Sequence, residues 1–139
     1  MVMARALMTL SGAIIFALGS IHLVYTFWGP KLTPRDPALQ ARMREVSPVI
    51  SRETTMWKTW IGFNASHSLG ALLFGLVYGY LALVHPAVLF QSGFLLGLGF
   101  CLLGVYLFLG KAYWFSVPFR GILAAFVAYV MSLVAGWLG

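Results

Sequence analysis

Four long apolar runs, over residues 6–28, 60–84, 86–109 and 116–138, are separated by shorter polar stretches. Each is long enough to cross a bilayer as a helix, which takes about 20 residues. The runs are continuous rather than alternating, and they exceed the roughly 10 residues of a barrel strand. Backbone polar groups in hydrocarbon must be satisfied within the segment, so the pattern predicts an all-α protein of four transmembrane helices. Local punctuation agrees. Gly29-Pro30 ends the first span, and His85-Pro86 forms a tight turn from the second into the third. Gly110 ends the third, and Ser116 caps the fourth, with Pro118 in its first turn.

Only the first connection is long. Within it Asp36-Pro37 reads as a helix cap and first turn, and Leu39, Met43 and Val46 recur at helical spacing. This predicts a short amphipathic helix on the membrane surface. Ser47-Pro48 marks the start of a further helix running into the second span. Ala17-Leu18-Gly19 resembles a signal-peptidase site, but the apolar run continues through Phe27, so an uncleaved span is expected.

Composition narrows the class. The 139 residues are 61% hydrophobic and 9% charged, whereas soluble domains carry about 25% charged residues. A water-facing enzyme, a disordered tail and a secreted disulfide scaffold are excluded. The single cysteine, Cys101, lies in an apolar run and forms neither an internal disulfide nor a cysteine-based metal motif. The net charge of +6 does not point to nucleic acid. Charge is kept out of the apolar runs and gathered in residues 31–58, where anionic headgroups and topology explain it. All basic residues but Arg5 fall in, or border, the first and third connections, which share a side. The positive-inside bias puts that side in the cytoplasm and both termini outside. The expected location is the bacterial inner membrane, as one domain over residues 1–139.

Small residues recur every fourth position: Gly62, Ser66 and Gly70; Gly93, Gly97 and Cys101; Ala124, Ala128, Ser132 and Gly136. Such stripes let helices approach closely, within the chain or in a homo-oligomer or larger membrane complex.

The suggestive chemistry is a pair of intramembrane histidines. His22 lies six residues before Trp28, and His67 seven after Trp60. At about 1.5 Å per residue both sit roughly 10 Å below an aromatic belt. Three readings stay open. The imidazoles hydrogen-bond neighbouring helices and fix packing. Or His22, Tyr25, Asn64, His67 and Ser68, with Arg120 within reach of a headgroup, form a pocket for an amphipathic ligand such as a lipid, sterol-like molecule or quinone. Or the pair ligates a haem or metal in a redox or lipid-modifying enzyme. No Asp or Glu lies in any span, so a catalytic carboxylate is lacking and no catalytic residue is assigned.

Gly19-Ser20-Ile21-His22-Leu23, the Trp60-to-Ser68 segment (Trp-Ile-Gly-Phe-Asn-Ala-Ser-His-Ser) and Tyr113-Trp114-Phe115 together resemble a family of small uncharacterised bacterial four-span membrane proteins. The resemblance implies the fold and no activity. DoxX-like proteins are similar only in size and span count. The sterol-isomerase and sigma-2-type bundle is similar only in span count, and its acidic site residues have no counterpart here. The resulting expectation is a small membrane protein whose polar His/Asn pocket binds an amphipathic ligand or partner helix. A membrane redox or lipid-modifying enzyme and an accessory subunit are the alternatives.

Overall fold

The computed structural model describes residues 1–138. In chain order the helices are α1 (Val2–Phe27), α2 (Pro37–Glu45), α3 (Met56–Val84), α4 (Pro86–Phe90), α5 (Gly93–Tyr113) and α6 (Ser116–Leu138), with no strand among the described residues. α1, α3, α5 and α6 are each long and apolar enough to cross a membrane. The expected all-α, four-transmembrane-helix architecture, with a short helix in the first connection, is therefore present.

Several boundaries differ from the sequence reading. The third span is not one helix from Pro86. α4 stops at Phe90, and α5 restarts at Gly93 because Ser92 caps it, its hydroxyl accepting the Leu95 N–H at 3.2 Å. Gly110 does not end that helix, which runs to Tyr113. Ser116 is the first residue of α6. Ser47-Pro48 starts no helix: Val46 is extended, Ser51 N–H turns back to the Pro48 carbonyl, and α3 begins only at Met56. Thr55 caps it, its hydroxyl accepting the Lys58 N–H at 3.3 Å. Asp36-Pro37 behaves as expected, with the Asp36 carboxylate accepting the Ala38 N–H at 2.9 Å.

The chain divides into two compact units, Met1–Leu18 with Ala71–Gly139, and Gly19–Gly70. The first is a helical bundle. Its core gathers Met8, Ile15, Phe74, Tyr78, Leu89, Leu103, Ile122 and Tyr129 from α1, α3, α4, α5 and α6. Lipid supplies little hydrophobic drive between helices, so close packing and interhelical hydrogen bonds must hold them. The closest approach is backbone to backbone. A Cβ on Gly75 would stand 2.6 Å from the Gly12 carbonyl oxygen and 2.6 Å from Phe16 Cβ. Hydroxyls then tie helices to carbonyls: Ser11 Oγ donates to Ala125 O at 2.8 Å, and Ser132 Oγ to Ala4 O at 2.7 Å. Tyr78 and Tyr129 donate to the adjacent carbonyls of Leu95 and Leu96, at 2.6 and 2.8 Å. Both rings reach them because Gly99 has no side chain in their way. The Arg5 guanidinium bonds the carbonyls of Ala82 and Leu83 at 3.1 and 2.8 Å. Carbonyls in a helix's last turn lack intrahelical donors and favour a cation.

The small-residue stripes are used selectively. Ala128 and Ser132 are buried. Ser66 and Gly70 are exposed, and a Cβ at Gly62, Gly93 or Gly97 would meet nothing within 4 Å. The tightest contacts fall outside the stripes, at Gly99, Gly75, Gly121 and Gly12, while a Cβ on Gly136 of the α6 stripe would meet Phe90 at 3.3 Å.

Candidate functional site

The second unit holds the end of α1, the long connection with α2, and the first half of α3. Its connection is fastened at both ends. Trp60 Nε1 donates to the Leu32 carbonyl at 2.9 Å, and the Met56 N–H donates to the Val46 carbonyl at 2.9 Å. Between them Thr33 closes a turn onto the Pro30 carbonyl through both its N–H and its hydroxyl, at 3.2 and 2.8 Å. Gly29, with φ of +83°, makes the turn that takes the chain out of α1.

The two histidines meet. The rings of His22 on α1 and His67 on α3 lie edge to face, with centroids 5.2 Å apart and planes at 79°. His22 Nδ1 is 2.8 Å from Ser68 Oγ. The Ser68 hydroxyl has one proton and donates it to the Asn64 carbonyl at 2.9 Å. It therefore accepts from His22, which fixes the imidazole proton on Nδ1 and leaves Nε2 with its lone pair. Asn64 turns its amide back onto its own helix, Nδ2 donating to the Trp60 carbonyl at 2.7 Å. Thr26 donates to the His22 carbonyl at 2.8 Å. His22, Asn64, His67 and Ser68 thus form one connected group.

Tyr25 makes no bond within that group, and Arg120 belongs to the other unit. Tyr25 is exposed and lines a cleft at the end of α1. Arg120 is an exposed residue on the first turns of α6, in the other unit.

The cleft has a volume of about 350 Å³, and Tyr25, Leu32, Thr33, Gln40, Arg44 and Trp57 are among its lining residues. Pockets for small molecules run from roughly 300 to 1,000 Å³. Arg44 is held with its guanidinium carbon 5.0 Å from the centre of the Trp57 ring, a cation–π contact. Sequence reasoning placed Tyr25 in a site but missed Thr33, Gln40 and Arg44. The only available signal was the two arginines in the last turn of α2, and nothing in their spacing pairs Arg44 with Trp57.

The ring geometry does not suit a single haem held between the histidines. Axial ligation needs two nitrogens facing each other across the porphyrin plane. Rings in edge-to-face contact leave no room for that plane. Among the described residues no group of three or more His, Cys, Asp or Glu could hold a metal ion. No protein-family profile, curated protein or solved structure matches the chain.

Proposed function

We propose that this chain is a small multi-pass protein of the bacterial inner membrane that binds an amphipathic ligand through its Gly19–Gly70 unit. The proposed orientation puts the long connection in the cytoplasm and both termini outside, from the basic residues of that connection. The observation that carries the reading is the contiguity of two polar features at the end of α1. Thr26 lines the cleft and also bonds the backbone of His22, and His22 in turn meets His67 and Ser68. In this reading the ligand's polar end enters the cleft, and the His22–Ser68–His67 group forms a polar boundary beside it. Apolar Phe27, Leu32 and Ile61 on the cleft wall accompany the first carbons of a tail.

A second reading is favoured by the closure of the bonds around Ser68. In it the histidine group is a lock between α1 and α3, each bond contributing about 0.6 kcal/mol, the average found for such contacts in membranes. His67→Leu separates the two. For a binding protein, the variant folds normally and lipid analysis of the purified protein shows at least a twofold fall in a retained amphiphile. For a lock, the retained lipids match the wild type and only thermal stability falls. Matching lipid profiles would overturn the binding proposal. Membership of the family of small four-span membrane proteins that the sequence resembles is likewise a proposal.

A further inference from the structure

The cleft carries a chemical bias that the histidine group does not. We infer that it is a site for the phosphate-bearing headgroup of an anionic lipid, with Arg44 as the contacting cation. This deepens the binding role proposed above and rests on it.

The argument begins with the acids. None of the residues lining the cleft is an Asp or Glu, and Arg44 is its one charged member. None of the unit's three acids lines the cleft, and the side chains of two are engaged elsewhere. Glu45 pairs with Arg42 at 3.1 Å, and Asp36 caps α2 through the Ala38 N–H. Among the described residues Arg44 forms no ion pair, and its guanidinium rests on the Trp57 indole. That contact uses none of the guanidinium N–H donors and leaves them for a phosphate, which arginine takes with two parallel hydrogen bonds. Gln40 and Tyr25 add neutral donors. Leu32, Phe27 and Ile61 supply an apolar wall next to them, which inorganic phosphate does not need and a glycerolipid does. The surrounding unit adds Lys31, Arg35, Arg52 and Lys58, which raise the local concentration of anionic lipid. Those side chains act by general attraction; Arg44 alone is built into the cleft.

The test uses the full chain in a mild detergent, with native mass spectrometry after exposure to equal amounts of phosphatidylglycerol and phosphatidylcholine. Wild type should retain the anionic lipid at least fivefold over the zwitterionic one. Arg44→Gln should abolish that preference. Arg44→Lys, which keeps the charge but loses the planar fork, should retain less than half of it. Arg35→Gln, which removes one of the diffuse charges outside the cleft lining, should lower it far less than Arg44→Gln does. Thermal unfolding of each variant within about 3 °C of wild type would show that the loss is local. Equal retention of both lipids by wild type would overturn the headgroup assignment while leaving amphiphile binding intact. Retention of neither would sink both. An equal effect of Arg35→Gln would reduce the preference to diffuse charge and overturn the site. Displacement of the lipid by an equimolar amount of inorganic phosphate would identify a soluble anion as the ligand and overturn the lipid assignment.

Discussion

The two units solve opposite problems. Every residue of the buried apolar cluster belongs to the first unit. The buried side chains of the second unit, among the described residues, are Thr26 and Ser68. In the first, polar groups serve the packing: Ser11, Ser132, Tyr78 and Tyr129 each spend a hydroxyl on a backbone carbonyl distant in sequence. In the second, polar groups define the local structure, and an open cleft lies at the end of α1. Helices that cannot gain from expelling water must fit backbone to backbone. A segment that holds a cleft gives up that fit. The lesson is that stability and binding are carried by different stretches of the same two helices, since α1 and α3 each contribute to both units.

That division is most sharply tested at Gly75. A Cβ there would press on the Gly12 carbonyl and on Phe16, and neither is the end of a flexible side chain. Gly75→Val should cost more than the roughly 1–3 kcal/mol of ordinary overpacking, read as loss of monodisperse folded protein in detergent. Gly97→Ala, where a Cβ meets nothing within 4 Å, should leave thermal unfolding unchanged. If the two behave alike, close backbone contact is not what holds the first unit.

A smaller effect is expected from its hydroxyl ties. Ser11→Ala and Ser132→Ala each remove a buried bond between α1 and α6. Each should cost about 0.6 kcal/mol, and the double variant about the sum, because the two bonds share no partner. Chemical denaturation in mixed micelles checks both. A double variant as stable as wild type would show that the ties follow packing rather than support it.

In the second unit the corresponding change should stay local. Trp60→Phe keeps an aromatic ring but loses the bond to the Leu32 carbonyl. Amide exchange should quicken over residues 28–46 with little change in the global melting point. A global loss comparable to that of Gly75→Val would erase the distinction between the units.

Much of the scaffold was legible before the structure, for reasons tied to particular residues. Pro30, Pro37 and Pro86 restrict their own backbone and the residue before, so helix limits near them were readable. The break at Gln91-Ser92 was not, because one capping serine in an apolar run looks like any small polar residue. Facing was also hidden. A helix that is apolar all round has little periodic signal, so Gly75 and Gly99 could not be told from Gly62 and Gly97. Counting 1.5 Å per residue placed His22 and His67 at one depth, and their rings do meet. The role of Ser68 as the partner of His22 depends on rotamers, and the Arg44–Trp57 contact depends on the path of a long connection. Neither leaves a trace in spacing.

The smallest energetic change should give the clearest local signal. Ser68 holds the His22 proton on Nδ1 because its own proton is committed to the Asn64 carbonyl. Ser68→Ala removes the acceptor and leaves an imidazole that no longer prefers one tautomer through that bond. The loss of stability should not exceed about 0.6 kcal/mol, no more than for either serine tie in the first unit. Nitrogen-15 spectra of the imidazole should nevertheless change, from one dominant Nδ1–H form to a mixture with the proton on Nε2. The same variant tests the two readings of the histidine group. If it is a lock, the spectral change comes with loosened α1–α3 contacts and unchanged lipid retention. If it is the inner boundary of a binding site, the amphiphile held by wild type is lost in proportion to the Nε2–H form. Should the imidazole spectrum not change at all, His22 is oriented by something other than Ser68, and the connected group reduces to the contact between the two rings.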